Sequence, residues 1–246
     1  MTTPTALPQR HARIAGAAYL LVILIGVLNG FLVDARLVVA DDATTTQNIL
    51  AHPDLFRVGI AATLVLYVLV LVLVLAWALY EILKVVEPRL ARLALLFRVA
   101  EAVVGVSTIL TSIFVADMLG RRGRVSTLGS DQLSALVGAV LEARTTGMDL
   151  VLVLIGVGGT AFCVLLFMSR LVPRALAGWG VVTYVSMLVL GFLSLVWSAH
   201  PKALDVIFYG PGALFEASIG AWLLVKGVNE ERWNALSASC AAAGQA

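Results

Sequence analysis

Six stretches of the chain, residues 14–33, 56–83, 93–119, 150–168, 175–196 and 206–225, are apolar and nearly free of charge. Each runs for about 20 residues or more, the length at which a helix crosses a hydrocarbon core about 30 Å thick. A chain built from such blocks is expected to be all-α: a polytopic transmembrane bundle of six helices, with the lipid bilayer as its first partner. Composition agrees, since 61% of the 246 residues are apolar and 13% charged, against about 45–50% and about 25% in soluble domains. The first block exceeds the roughly 7–15 apolar residues of a cleavable signal peptide, and no cleavage site follows it, so it is read as a retained span.

The domain plan is then a disordered cytoplasmic N-terminus over residues 1–13, a membrane domain over 14–228, and a disordered cytoplasmic tail over 229–246. Six spans place both termini on one side. The short turns between spans two and three (Lys84, Arg89, Arg92) and between spans four and five (Arg170, Arg174) are basic. Because cationic flanks resist translocation, those turns and both termini are expected in the cytoplasm.

The outer loops carry helical signals of their own. Asp42 or Thr44 is placed to cap a short helix ending before Pro53. After span three, Leu133, Leu136, Val137, Val140 and Leu141 recur at helical spacing behind Ser130 and Asp131, which predicts a separate amphipathic helix in the membrane interface. These are short interfacial helices outside the six spans. Small residues predict close helix contacts, at Gly26 and Gly30 in span one and at Gly156, Gly158 and Gly159 in span four.

Several functions are excluded at this level. A net charge of +2, with Lys and Arg scattered between apolar blocks, gives no continuous basic face for nucleic acid. Cys163 lies within an apolar block and Cys240 in the tail, so a disulfide between them is not expected. His11, His52 and His200 all fall outside the spans, which removes axial haem ligands and a histidine zinc site. No nucleophile elbow, zinc-protease helix or phosphate-cradling glycine loop occurs. No catalytic residue, metal or cofactor is therefore assigned.

What remains is a set of ionisable residues at membrane depth, where burial is costly and function is the default reading. Span three carries Arg98 and Glu101 on one face, with Gly105 a turn beyond; span six carries Glu216. Counted from the flanking cations, Arg98 lies ~9 Å, Glu101 ~14 Å and Glu216 ~15 Å into the membrane. The three meet only if spans three and six are neighbours, which is expected. One guanidinium and two carboxylates leave an excess negative charge, so the cheapest arrangement pairs Arg98 with one carboxylate and protonates the other. Two lesser features join this cluster. Gly210, Pro211 and Gly212 mark either a kink or a break at the start of span six, and Arg57 with Asp149 is a candidate ion pair at the outer level.

The stretches RIAGAAYLLVILIGVLNGFLVDARLVV, DDATTTQNILAHPDLFRVGI, LFRVAEAVVG, GMDLVLVLIGVGG, LLFMSRLVPRALAGWGVVTYV and FEASIGAWLLVKG, in that order, resemble a bacterial family catalogued as domain of unknown function 4386. The resemblance runs from about Arg10 to Gly227. It implies a six-span protein of the bacterial inner membrane and directs attention to Arg57, Arg98, Glu101, Asp149 and Glu216, without an activity. Three functional readings stand. The Arg98/Glu101/Glu216 cluster lines a cavity that binds or passes a small-molecule ligand or proton; or it locks helices in a non-catalytic scaffold or partner protein; or Glu101 and Glu216 serve as acid and base on a lipid. A cavity reaching Glu216 favours the first and third, and dry packing the second.

Overall fold

The computed structural model describes residues 6–67, 74–121, 129–197 and 201–243, and all regular structure among them is helical. In order these are α1 (Ala6–Asn29), a π-helical turn (Gly30–Asp34), α2 (Ala35–Leu37), α3 (Asp42–Ala51), α4 (Pro53–Val65), α5 (Trp77–Leu83), α6 (Pro88–Gly120), α7 (Ser130–Ser169), α8 (Arg174–Val196), α9 (Lys202–Val225) and α10 (Glu230–Ala243). Four helical stretches are long and apolar enough to cross a membrane: Leu7–Leu37, Pro88–Gly120, Ser130–Ser169 and Arg174–Val196. Val74–Leu83 and Gly210–Val225 are shorter apolar segments. Phe31, Val103, Leu110, Val182 and Leu214 turn their side chains outward, as a lipid-facing surface requires.

Local chemistry fixes most boundaries. The Asp41 carboxylate caps α3, accepting from the Thr44 backbone N–H at 2.7 Å. Pro53 opens α4 and Pro88 opens α6, at positions where a missing N–H costs nothing. Glu87 caps α6 by accepting from the backbone N–H groups of Arg89 and Leu90. Arg170 ends α7 in the left-handed region at φ 56°, and Pro173 leads into α8.

Two ends of the bundle can be distinguished. At one, the start of α1 meets the end of α9: Gln9 Nε2 donates to the Val228 carbonyl at 2.7 Å, and the Val228 N–H donates to Gln9 Oε1 at 3.2 Å. Gly227, at φ +70°, makes this turn, and a Cβ there would stand 1.6 Å from Gln9 Oε1. α10 straps the same end, since Trp233 Nε1 donates to the Ile82 carbonyl at 3.0 Å and Arg232 Nε to the Ser169 carbonyl at 3.2 Å. At the opposite end Val33, Leu37, Ile49, Phe56, Val115, Leu119, Val137 and Leu141 form a second apolar cluster. Successive long helices therefore run in alternating directions between the two ends.

Expectations from the sequence are corrected at several points. The predicted interfacial helix and span four are one helix of 40 residues, about 60 Å long and twice the hydrocarbon thickness. Residues 142–149 contain no proline, and their single Gly147 is insufficient to stop a helix. The apolar stripe at Val137 and Leu141 packs into the far cluster with Ile49 and Phe56. At the two ends of the chain α1 begins at Ala6, with residues 1–5 and 244–246 outside the described set, and α10 spans Glu230–Ala243. Glu230 and Glu231 in its first turn, and Asn229 Oδ1 accepting from the Arg232 N–H at 3.0 Å, supply the helix start. The tight crossing of α1 lies at Gly16, where a Cβ would stand 2.4 Å from Leu224 N and 2.6 Å from the Gly220 carbonyl; at Gly26 and Gly30 no neighbour approaches closely. α9 packs chiefly on α1 and α8, while α6 packs on α7, α4 and α5, so the expected contact of spans three and six is not a main packing contact.

Candidate functional site

Span four supplies the seat. Gly158 makes room for the stem of Arg98, whose Cδ lies 3.1 Å from where a Cβ would project. Its neighbour Gly159 receives the ring of Tyr184 on α8, which a Cβ would meet at 2.5 Å. The glycines of α7 thus admit a charged side chain from α6 and an aromatic one from α8 onto adjacent positions, which goes beyond the helix packing expected of them.

Arg98 and Glu101 are both buried, at 3% and 1% exposure, and their Nη1 and Oε2 atoms approach to 2.7 Å across one turn of α6. Among the described residues neither atom has a hydrogen bond of directed geometry, so the contact is one of charge. Glu216 on α9 is held differently. Tyr184 O–H donates to its Oε1 at 3.0 Å, and the Tyr19 hydroxyl lies 3.5 Å from that of Tyr184. Phe215 meets the Tyr184 ring edge-on at 5.7 Å and fixes its orientation.

Arg98, Glu101 and Glu216 line one cavity of about 500 Å³. The cavity continues between α1, α4, α6 and α7 along apolar walls such as Val22, Ile60, Val151 and Ile155, and reaches Asp34 and Arg144 at its far end. There Arg144 Nη2 and Asp34 Oδ1 form an ion pair at 3.1 Å. Of the other candidate pair, Arg57 lies near Gly120, its Nη2 3.5 Å from the position of a Cβ there, and the Asp149 backbone carbonyl faces Gly191 of α8. Pro211 lies inside α9, which runs unbroken from Lys202 to Val225 through Gly210 and Gly212. No irregular backbone enters the site there.

Residues 14–227 match the family described as a domain of unknown function, DUF4386. The chain belongs to this family. No curated protein and no solved structure matches it. The matched part of the DUF4386 chain holds the whole cavity lining, from Tyr19 to Glu216.

Within the DUF4386 chain the structure brings the three sequence candidates to one cavity, and adds partners that sequence reasoning passed over. Tyr184 donates to Glu216, the Tyr19 hydroxyl lies beside that of Tyr184, and Asp34 pairs with Arg144 at the far end. A tyrosine at membrane depth needs a partner for its hydroxyl, and that was the available signal for Tyr184. Among the described residues no group of three or more His, Cys, Asp or Glu side chains is placed to hold a metal ion.

Proposed function

We propose that this DUF4386 protein is a six-span integral protein of the bacterial inner membrane, with both termini cytoplasmic, and that it binds or passes a small molecule in the Arg98/Glu101/Glu216 cavity. The observation that carries the reading is the cavity itself, which extends to Glu216. Its volume falls within the range of about 300–1,000 Å³ typical of small-molecule pockets. A second feature supports the reading. Arg98 and Glu101 sit three apart on one helix, so their ion pair ties no two helices together, which weakens the case for a structural lock.

The six-span reading adds to the four long helices residues 56–83, whose described parts pack against α1 and α6, and α9, which packs against α1 and α8. Counted along the sequence, nine Lys and Arg residues flank the six apolar blocks on the side of the termini, against seven on the other. Orientation has a native reporter in Cys240, which is exposed, whereas Cys163 is buried. In intact cells a membrane-impermeant maleimide should leave Cys240 unmodified, and in inverted vesicles it should label it. The reverse pattern would place the termini outside.

Ligand binding is tested by thermal unfolding of the protein in lipid nanodiscs against a panel of small solutes and lipids. A stabilising compound should lose its effect in Val22→Phe, which fills the cavity from α1 without touching the charged residues. A panel without effect on the wild type, or an effect unchanged in Val22→Phe, would contradict the reading.

A further inference from the structure

The charged side chains of the cavity do not balance. Two cations, Arg98 and Arg144, face three carboxylates, Asp34, Glu101 and Glu216. Arg98 lies against Glu101 at 2.7 Å and Arg144 against Asp34 at 3.1 Å. Glu216 is the carboxylate left over: among the described residues no salt bridge reaches it, and its hydrogen bond comes from the neutral Tyr184 hydroxyl to Oε1, leaving Oε2 for another donor. An uncompensated charge in apolar surroundings is costly, and this one borders a space large enough for a molecule.

We propose that the cavity takes a monovalent lipophilic cation, a protonated amine carrying an apolar body. This rests on the reading that the cavity is a ligand site, and names the ligand's chemistry. The ammonium sits on Glu216, where it restores charge balance and donates to the carboxylate. Tyr19 and Tyr67 also belong to the lining and add aromatic surface to it. The apolar body follows the walls at Val22, Ile60, Val151 and Ile155 toward the far end. An anion is disfavoured there, because each guanidinium already has its carboxylate. A strongly hydrated inorganic cation is disfavoured too, since these walls do not replace its water.

The test uses three probes sharing one apolar body: phenylbutylamine, phenylbutanol and phenylbutyrate, cationic, neutral and anionic at neutral pH. Saturation binding of each is measured on the full chain in phosphatidylcholine nanodiscs, for wild type, Glu216→Gln and Val22→Phe. The amine should bind about tenfold more tightly than the alcohol, as a charge-assisted contact warrants. In Glu216→Gln the amine should fall to the level of the alcohol, with alcohol binding unchanged. Equal affinities for amine and alcohol, both lost in Val22→Phe, would overturn the cation while leaving the cavity a ligand site. An amine preference that survives Glu216→Gln would overturn the assignment to Glu216. Absence of saturable binding by all three would overturn the proposal, the charge then being balanced by a proton alone, and the ligand-site reading would rest on the wider panel. Should Glu216→Gln not fold, the three probes on the unaltered chain still decide for or against the cation.

Discussion

Replacing Arg98 by leucine strands the carboxylate of Glu101 in the bundle interior. The side chains are 4% and 1% exposed and meet at 2.7 Å, so little solvent screens the loss. Removing one member of a buried pair costs about 3–5 kcal/mol, whereas replacing both by apolar groups is often near neutral. Arg98→Leu and Glu101→Leu should therefore each lower stability by about that amount, while the double variant loses less than either alone. The coupling between them should therefore be at least one single loss, about 3–5 kcal/mol. Arg98 and Glu216 share the cavity without a salt bridge, so the cycle built on Arg98→Leu and Glu216→Gln should return a smaller coupling. The assay is equilibrium unfolding in bicelles under increasing denaturing detergent, with the fold checked by tryptophan emission. A larger coupling to Glu216 than to Glu101 would refute the pairing within α6 and favour an interhelical pair of Arg98 with Glu216.

Other expectations follow from single contacts. Gly16→Leu pushes a side chain into the backbone of α9, where even a Cβ meets Leu224 N at 2.4 Å; it should destabilise by about 1–3 kcal/mol or more, against little effect for Gly30→Leu, and thermal unfolding compares the two. Gly227→Ala faces both a positive φ and Gln9 Oε1, and should open the strapped end, read as faster hydrogen exchange in α10. Asp41, exposed and outside the spans, has its pKa lowered by its hydrogen bonds to the Thr44 side chain and backbone. Its contribution to α3 is present above the ordinary aspartate value of about 3.9 and is lost as pH falls through the lower folded value. Hydrogen exchange in residues 42–51 should rise on such acidification, and Asp41→Ala should raise it at neutral pH.

The apolar blocks and the helical class were legible because hydrocarbon thickness and backbone hydrogen bonding leave little choice over such lengths. The three deep ionisable residues were legible for the same reason, since each charge in that setting needs an explanation. What escaped the sequence depends on relations between helices. The continuity of α7 through residues 142–149 turns on weak propensities that a loop and a helix share. α10 gains its anchor from the Ile82 and Ser169 carbonyls, which are distant in the chain. The step from Gly26 to Gly30 looks like a packing motif, yet Gly16 is the residue that faces α9, because which face of α1 turns inward is set by the partner helix. Likewise depth along the helices brings Arg98, Glu101 and Glu216 together without saying which carboxylate takes the guanidinium. Rotation about the helix axes instead hands Arg98 to Glu101 and Glu216 to Tyr184.

The central claim is that the space beside Glu216 admits small molecules, and thiol reactivity measures that directly. In a Cys240→Ala background, Leu152→Cys places a thiol in the cavity wall, while Cys163, buried at 1% exposure in the packed core, serves as internal control. With a small neutral thiol reagent in nanodiscs, the account expects rapid modification at position 152 and none at Cys163. A thiol at 152 as unreactive as Cys163 would contradict it and leave the cluster as dry packing.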